Sequence, residues 1–253
     1  MISVVLLGAG NVATHLFKAF FSSEEIEIKQ WYNRNLKTID KYKNKVKVTD
    51  DLASLVEADI YILAVSDDAI EALSKQLPFE NRLVVHTSGS TSLYAVDMKQ
   101  KRGVFYPLQT FSKAADVDFS EVPICIEALQ KADLPILKQL VEAIGSKSHK
   151  VNSDQRQGLH LAAVFVNNFT NQLYRMAHEI TEMNGAEFDI LKPLIKETAN
   201  KIESLSPYLA QTGPALRNDK KTIKRHLKQL ESEQHKAVYE LLTKSIKKTH
   251  GIR

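Results

Sequence analysis

Apolar residues follow two rhythms along this chain. Over residues 1–152, short runs alternate with stretches whose apolar positions recur at helical spacing. Runs at 2–7, 26–32, 46–49, 59–65, 82–85, 103–106 and 122–128 predict strands. After its first residue the 59–65 run is continuously apolar, as in a parallel strand covered on both faces. Helices are predicted at 12–21, from an Asp50/Asp51 cap to Glu57, at 69–77 before Pro78, from about Leu93, and at 134–144 with Gly145 as C-cap. This alternation predicts an α/β fold with a doubly wound, mostly parallel sheet. Past Val151 the strand signal stops. A long helix is expected from 154 to about 183, capped by Asn152 or Ser153, then one over 187–204 interrupted by Pro193, and a short segment from Ser206-Pro207. The final helices bury a stripe of Ile223, Leu227, Leu230, Val238, Leu241, Ser245 and Ile246. The expected division is a Rossmann-type dinucleotide-binding domain over 1–152 and an all-helical substrate and dimerisation domain over 153–253.

The first strand runs into Gly8-Ala9-Gly10-Asn11-Val12-Ala13. Strand, glycine turn and helix form the layout of a dinucleotide-binding βαβ unit. Gly8 permits the tight turn, Gly10 lets a pyrophosphate approach the backbone, and Ala13 lets helix and strand pack closely. The helix N-terminus then offers free N–H groups to phosphate. Asn11 and Val12 belong to the same cradle. The second strand ends in Asn33-Arg34-Asn35, where NAD-preferring sites carry an acid for the ribose hydroxyls. No acid occurs at positions 29–39, whereas Arg34 suits a 2′-phosphate, so NADP is the expected cofactor. Val65, Ser66 and Ser88 lie where later strands end, at the carboxyl edge of the sheet. His86 could touch substrate there, or take part in local turn chemistry with Ser and Thr. The loop 107–112 could border the same site.

On the long helix, His160, Asn167 and Asn171 fall within roughly 20° of one line at about 100° per residue. Arg156 lies about 40° aside by the same spacing. The surrounding residues, Leu159 and Leu161 to Val166, are apolar nearly all round, which predicts a buried helix. His and Asn inside such a helix require hydrogen-bond partners or a ligand. Thr212, Arg217 and Asp219 could reach a ligand or cap helices.

A hydrophobic content of 43% with 25% charged residues describes a globular chain. It has no apolar run of membrane-spanning length and no signal-type opening, so a cytoplasmic location is expected. The single cysteine, Cys125, excludes an intrachain disulfide and a cysteine-cluster metal site; its apolar surroundings predict a buried thiol. Residues 217–253 hold eleven Lys/Arg against four Asp/Glu, a net +7 within a chain of net +4. The lysines interleave with apolar residues and no aromatic platform accompanies them, so a solvated helix face is favoured over nucleic-acid binding.

Across nearly its whole length the chain resembles the bacterial family with a Rossmann-like domain followed by a DUF2520 domain. The resemblance rests on the glycine turn, on His86-Thr87-Ser88-Gly89, on Tyr106-Pro107-Leu108-Gln109-Thr110-Phe111, on residues 160–169, and on Thr212-Gly213-Pro214 through Arg217 and Asp219. It implies kinship with the 6-phosphogluconate-dehydrogenase-like superfamily, whose helical domain packs as a homodimer and closes over the nicotinamide. Hydroxyacid members of that superfamily use a lysine on the first long helix as acid/base, with an Asn about one turn later. Residues 154–171 contain no lysine, and His160 is the nearest titratable group. The resulting expectation is an NADP-dependent oxidoreductase moving a hydride to or from a small carbonyl or imine. His160 would be its acid/base, held by Asn167, with Asn171 or Ser88 orienting the substrate. The alternative is a non-catalytic NADP-binding sensor or assembly protein.

Overall fold

The opening run forms β1, Ile2–Leu7, near the middle of one eight-stranded sheet. The computed structural model describes residues 1–112 and 115–252; Arg253 of the basic tail lies outside them. The other strands are β2 (Ile26–Tyr32), β3 (Lys47–Thr49), β4 (Ile60–Leu63), β5 (Leu83–His86), β6 (Lys101–Pro107), β7 (Pro123–Ala128) and β8 (Lys147–Lys150), in the order β3-β2-β1-β4-β5-β6-β7-β8. Pairings from β3 across to β6 are all parallel. β7 runs antiparallel to β6 and parallel to β8, so the sheet ends in a reversed pair. The order reverses at β1, between β2 and β4, which opens a crevice at their carboxyl ends.

Helix α1 (Asn11–Phe21) and helix α3 (Leu134–Glu142) cover one face; α2 (Asp67–Lys75) covers the other. Phe17 stacks on Trp31 with ring centroids 4.5 Å apart, and Phe20 is fully buried beside them. Full burial of such a side chain contributes roughly 1.5–3 kcal/mol. The expected helix over 50–57 is only a 3₁₀ turn at Leu52–Ser54, with Asp51 accepting from the Ala53 N–H. The segment from Leu93 is likewise a 3₁₀ turn, ending at Ala95.

Helix α4 (Ser153–Ala163) starts with a reciprocal cap between Asn152 and Gln155. A π-helical turn at Val164–Phe169 precedes α5 (Thr170–Met183), so the long helix exists but is not uniform. Its wider turn departs from the even spacing on which the line of His160, Asn167 and Asn171 rests. The expected burial also fails: Leu161, Phe165 and Val166 are 61%, 61% and 73% exposed. By contacts the chain divides into Met1–Asn167 and Asn168–Arg253, so α4 belongs with the sheet.

The second unit continues with α6 (Lys192–Ser204), α7 (Pro207–Ala210), α8 (Lys220–Gln229) and α9 (Glu233–Thr249). Pro193 sits in the first turn of α6 and starts that helix instead of interrupting it, because the first turn needs no N–H from it. Asp219 caps α8, as expected, by accepting from the Thr222 N–H. The His235 ring meets Glu179 at 3.0 Å, joining α9 to α5. The predicted stripe is only half-buried along Ile223, Leu227, Leu230, Val238 and Ile246, and Leu241 is exposed. Among the described residues of this unit, only Met176 and Ala215 are buried apolar residues. No helix of the described residues is long and apolar enough to cross a membrane.

Candidate functional site

The turn after β1 is shaped by Gly8, whose φ is +109°. A Cβ there would stand 2.2 Å from the Ala64 carbonyl oxygen, so β1 and β4 approach more closely than any side chain allows. The Gly8 N–H donates to Tyr32 and the Gly8 carbonyl accepts from the Trp31 indole at 2.6 Å. The turn is therefore clamped from β2 on both sides. Gly10 differs: it is the N-cap of α1 with no side-chain cap, and a Cβ on it would meet nothing within 4 Å. Its open side and an acid-free first turn suit an approaching diphosphate.

A cleft of about 610 Å³ lies at this crevice, within the size range of cofactor sites. Gly8, Gly10, Asn11 and Val12 line its floor, and Asn33, Arg34, Val65 and Ser66 line its walls. Eight of the nine expected cofactor residues thus come together; Ser88 does not line the cleft, and its neighbour Thr87 does. Arg34 is exposed and has no carboxylate partner among the described residues, leaving its guanidinium free for a 2′-phosphate. Asn11 donates to the Phe111 carbonyl at 2.7 Å, which fastens the 107–112 loop beside the first turn of α1.

Beyond Thr87 the chain enters a buried loop held from three directions. Ser88 Oγ bonds Thr91, and Ser90 donates to Asp67 at the start of α2. Burial opposes the charge on Asp67, but bonds from Ser90, Ser88 and Thr91 outweigh it and hold the carboxyl below its usual range. Arg156, fully buried on α4, donates through Nη1 to the carbonyls of Ser88, Gly89 and Thr91 at 3.0, 3.1 and 2.8 Å. Its Nη2 faces Glu127 at 3.3 Å, and Ser153 bonds the same carboxylate. Helical spacing alone sets Arg156 beside the polar line and does not show this role. The available signal was its spacing of four from His160 on a helix that starts just after β8.

His86 is fully buried; its Nδ1 accepts from the Ser88 N–H, and its Nε2 has no hydrogen-bond partner among the described residues. Burial, and then the Arg156 charge, push its pKa down to about 4. An ordinary histidine titrates near 6.5, so protons bind the unfolded chain first as pH falls. Stability contributed by neutral His86 is complete above about pH 6.5 and is lost towards pH 4, by about 3 kcal/mol in total. Urea midpoints at pH 7 and pH 4.5 should therefore differ less in His86→Gln than in the parent. Equal differences would show that His86 does not carry this linkage.

His160 projects from α4 against Gly89 and Tyr106. The Tyr106 hydroxyl lies 3.0 Å from His160 Nδ1. The partner of this ring is thus Tyr106 of β6, and Asn167 lies exposed in the π turn. Asn171, Thr212 and Arg217 belong to the second unit and are exposed there. The Thr212 carbonyl accepts from Gln211, and the Arg217 N–H bonds the Gly213 carbonyl. Cys125 is buried, as expected, and burial raises its pKa. The described residues contain no cluster able to hold a metal ion.

Known proteins resemble the chain along its length. The family described as "NADP oxidoreductase coenzyme F420-dependent" matches residues 3–89, and the domain of unknown function DUF2520 matches residues 122–246. No curated protein matches. A Bacteroides fragilis protein, provisionally named an NADP oxidoreductase, is 39% identical over 98% of both chains, with a TM-score of 0.85. An imine reductase variant from Myxococcus stipitatus, solved with NAD+, shares 18% identity over 98% of this chain and 93% of its own, with a TM-score of 0.72. A 1-pyrroline-5-carboxylate reductase from Streptococcus pyogenes shares 12% identity over 99% of both chains, with a TM-score of 0.66. These last two show a common fold. By the first relationship the chain belongs to the family of NAD(P)-dependent oxidoreductases in which an NADP-binding Rossmann-type domain is followed by a DUF2520 domain.

Proposed function

We propose that the protein is an NADP-dependent reductase of a small carbonyl or imine, with His160 as proton donor. One observation carries this reading: the loop that lines the dinucleotide cleft at Thr87 packs against His160 two residues later, at Gly89. When bound, NADPH supplies a hydride to the unsaturated carbon. The chain's own residues do the rest. Gly8, Gly10, Asn11 and Val12 seat the diphosphate, Asn33 and Arg34 hold the phosphorylated ribose, and Val65 and Ser66 border the cofactor. As the C=O or C=N electron pair moves onto oxygen or nitrogen, that atom takes the proton from His160. Asn167, Asn171, Thr212 and Arg217 are the polar groups for binding and orienting substrate.

The apolar residues left open on α4, the π turn and the second unit favour a homodimer formed through the helical part; the cytoplasm is its proposed location. The 39% relative's provisional name supports NADP-dependent oxidoreduction, and the names of the two distant neighbours, an imine reductase and a 1-pyrroline-5-carboxylate reductase, suggest the imine class.

The test is NADPH titration followed by turnover. Binding should enhance NADPH fluorescence, and Arg34→Glu should weaken NADPH at least tenfold while leaving NADH little changed. With glyoxylate and 1-pyrroline as probes, NADPH oxidation should appear and should drop at least 100-fold in His160→Gln. Tight NADPH binding with no turnover on any small carbonyl or imine would replace this reading with the sensor one.

A further inference from the structure

We infer that Tyr106 is the positioning residue of the proton donor: it engages Nδ1 of His160 and so reserves Nε2 for the substrate. This rests on the reading of His160 given above. Three elements converge on the pair. Tyr106 comes from β6, His160 from α4, and Gly89 from the loop after β5. The two rings meet edge to face, 71° apart, with the hydroxyl 3.0 Å from Nδ1. Gly89 makes that approach possible, since a Cβ there would lie 2.6 Å from Nδ1 and 2.7 Å from Tyr106 Cζ. The Gly89 carbonyl is in turn fixed by Arg156, one helical turn before His160. The geometry thus locks one ring nitrogen inside the first unit.

A phenol could also have shared its own proton with the ring. Burial pushes the Tyr106 pKa up to about 12, so it stays a neutral hydroxyl across the working range. The proton ledger then closes at one atom. In the imidazolium, Nδ1–H donates to Tyr106 and Nε2–H faces substrate. As the substrate's oxygen or nitrogen gains its proton, the N–H bond at Nε2 breaks and its electron pair stays on Nε2. Nδ1 keeps its hydrogen, Tyr106 keeps its own, and Nε2 is refilled from water. In neutral His160 the pair can bond either way, Nδ1–H to the phenol oxygen or the phenol O–H to Nδ1, so the signature of the Tyr106 bond is the Nδ1 shift, with Nε2 left open in both.

Long-range proton–nitrogen NMR on the full-length protein at about pH 9, where an ordinary histidine is neutral, reads that signature, with His160→Gln identifying the resonance. Tyr106→Phe, which keeps the ring volume, should move the Nδ1 resonance towards its value in free imidazole and lower kcat about tenfold with KM for NADPH unchanged. Gly89→Ala, which pushes the pair apart, should move it the same way. An Nδ1 resonance unmoved in Tyr106→Phe overturns the inference and leaves the donor reading standing. Full turnover by His160→Gln overturns the donor reading, and this inference with it.

Discussion

Gly8→Ala should abolish measurable NADPH binding, whereas Gly10→Ala should weaken binding without harming the fold. The two glycines are two residues apart and face opposite demands. At Gly8 a methyl group would overlap the Ala64 carbonyl, 2.2 Å away, and Val65 Cγ1, 2.9 Å away. The first is backbone of the neighbouring strand's exit, so it cannot rotate aside. The φ of +109° adds strain that no L side chain escapes. Together these cost roughly 2–6 kcal/mol, from backbone strain and overpacking of about 1–3 kcal/mol each. Relief has to come from moving Ala64 and Val65, which line the cleft. At Gly10 the φ is −73° and the space around a Cβ is open. Alanine there should change the stability of the free protein by under about 1 kcal/mol, because the entropic gain through the unfolded chain is offset by the poorer N-cap. It should also raise the NADPH Kd about tenfold, because the open space is the phosphate's. Thermal melts and NADPH titrations of both variants separate folding from binding. Normal NADPH affinity in Gly10→Ala would mean that the diphosphate lies elsewhere.

That contrast shows what the sequence disclosed. The β1 run and the Gly8–Ala13 turn were legible because local patterns dictate both: apolar periodicity for the strand and backbone permissiveness for the glycine. The cleft followed, since a strand–turn–helix unit has one carboxyl edge. β8 was missed because Lys147-Ser148-His149-Lys150 is largely exposed, and an edge strand without an apolar face leaves no periodic trace. The reversal of β7 was invisible because alternation predicts that a strand exists, not its direction. The α4 burial failed for a different reason. An apolar surface all round demands a cover, and within this one chain Leu161, Phe165 and Val166 have little.

The Tyr106–His160 pair was half legible. His160 stood out as a polar residue in an apolar helix. Its partner sits 54 residues earlier on a strand, and no spacing rule connects them. The π turn, which holds Asn167, also has no signature in residue type. Arg156 illustrates the general case: a cation on a helix reads as solvated until the tertiary structure shows three carbonyls around it.

Arg156→Met should be the most destabilising single change in the first unit, by about 3–5 kcal/mol. The side chain is fully buried, and it alone meets the carbonyls of Ser88, Gly89 and Thr91 through one nitrogen. Its loss leaves those oxygens, and the Glu127 carboxylate, in a space that water reaches poorly. Each orphaned polar group costs about 1–3 kcal/mol, and the charged one more. Methionine fills similar volume, so the loss reports polar satisfaction and not a cavity. Arg156→Lys keeps the charge but replaces a planar fork by a point donor, which cannot reach both Glu127 and the loop. It should lose less than Met, by about half. Glu127→Gln should lose little in the Arg156→Met background, because the buried carboxylate is then the problem that glutamine removes. Urea unfolding of the three variants and the double variant gives the cycle. A loss under about 1 kcal/mol for Arg156→Met would mean that the loop closes over His160 without this clamp.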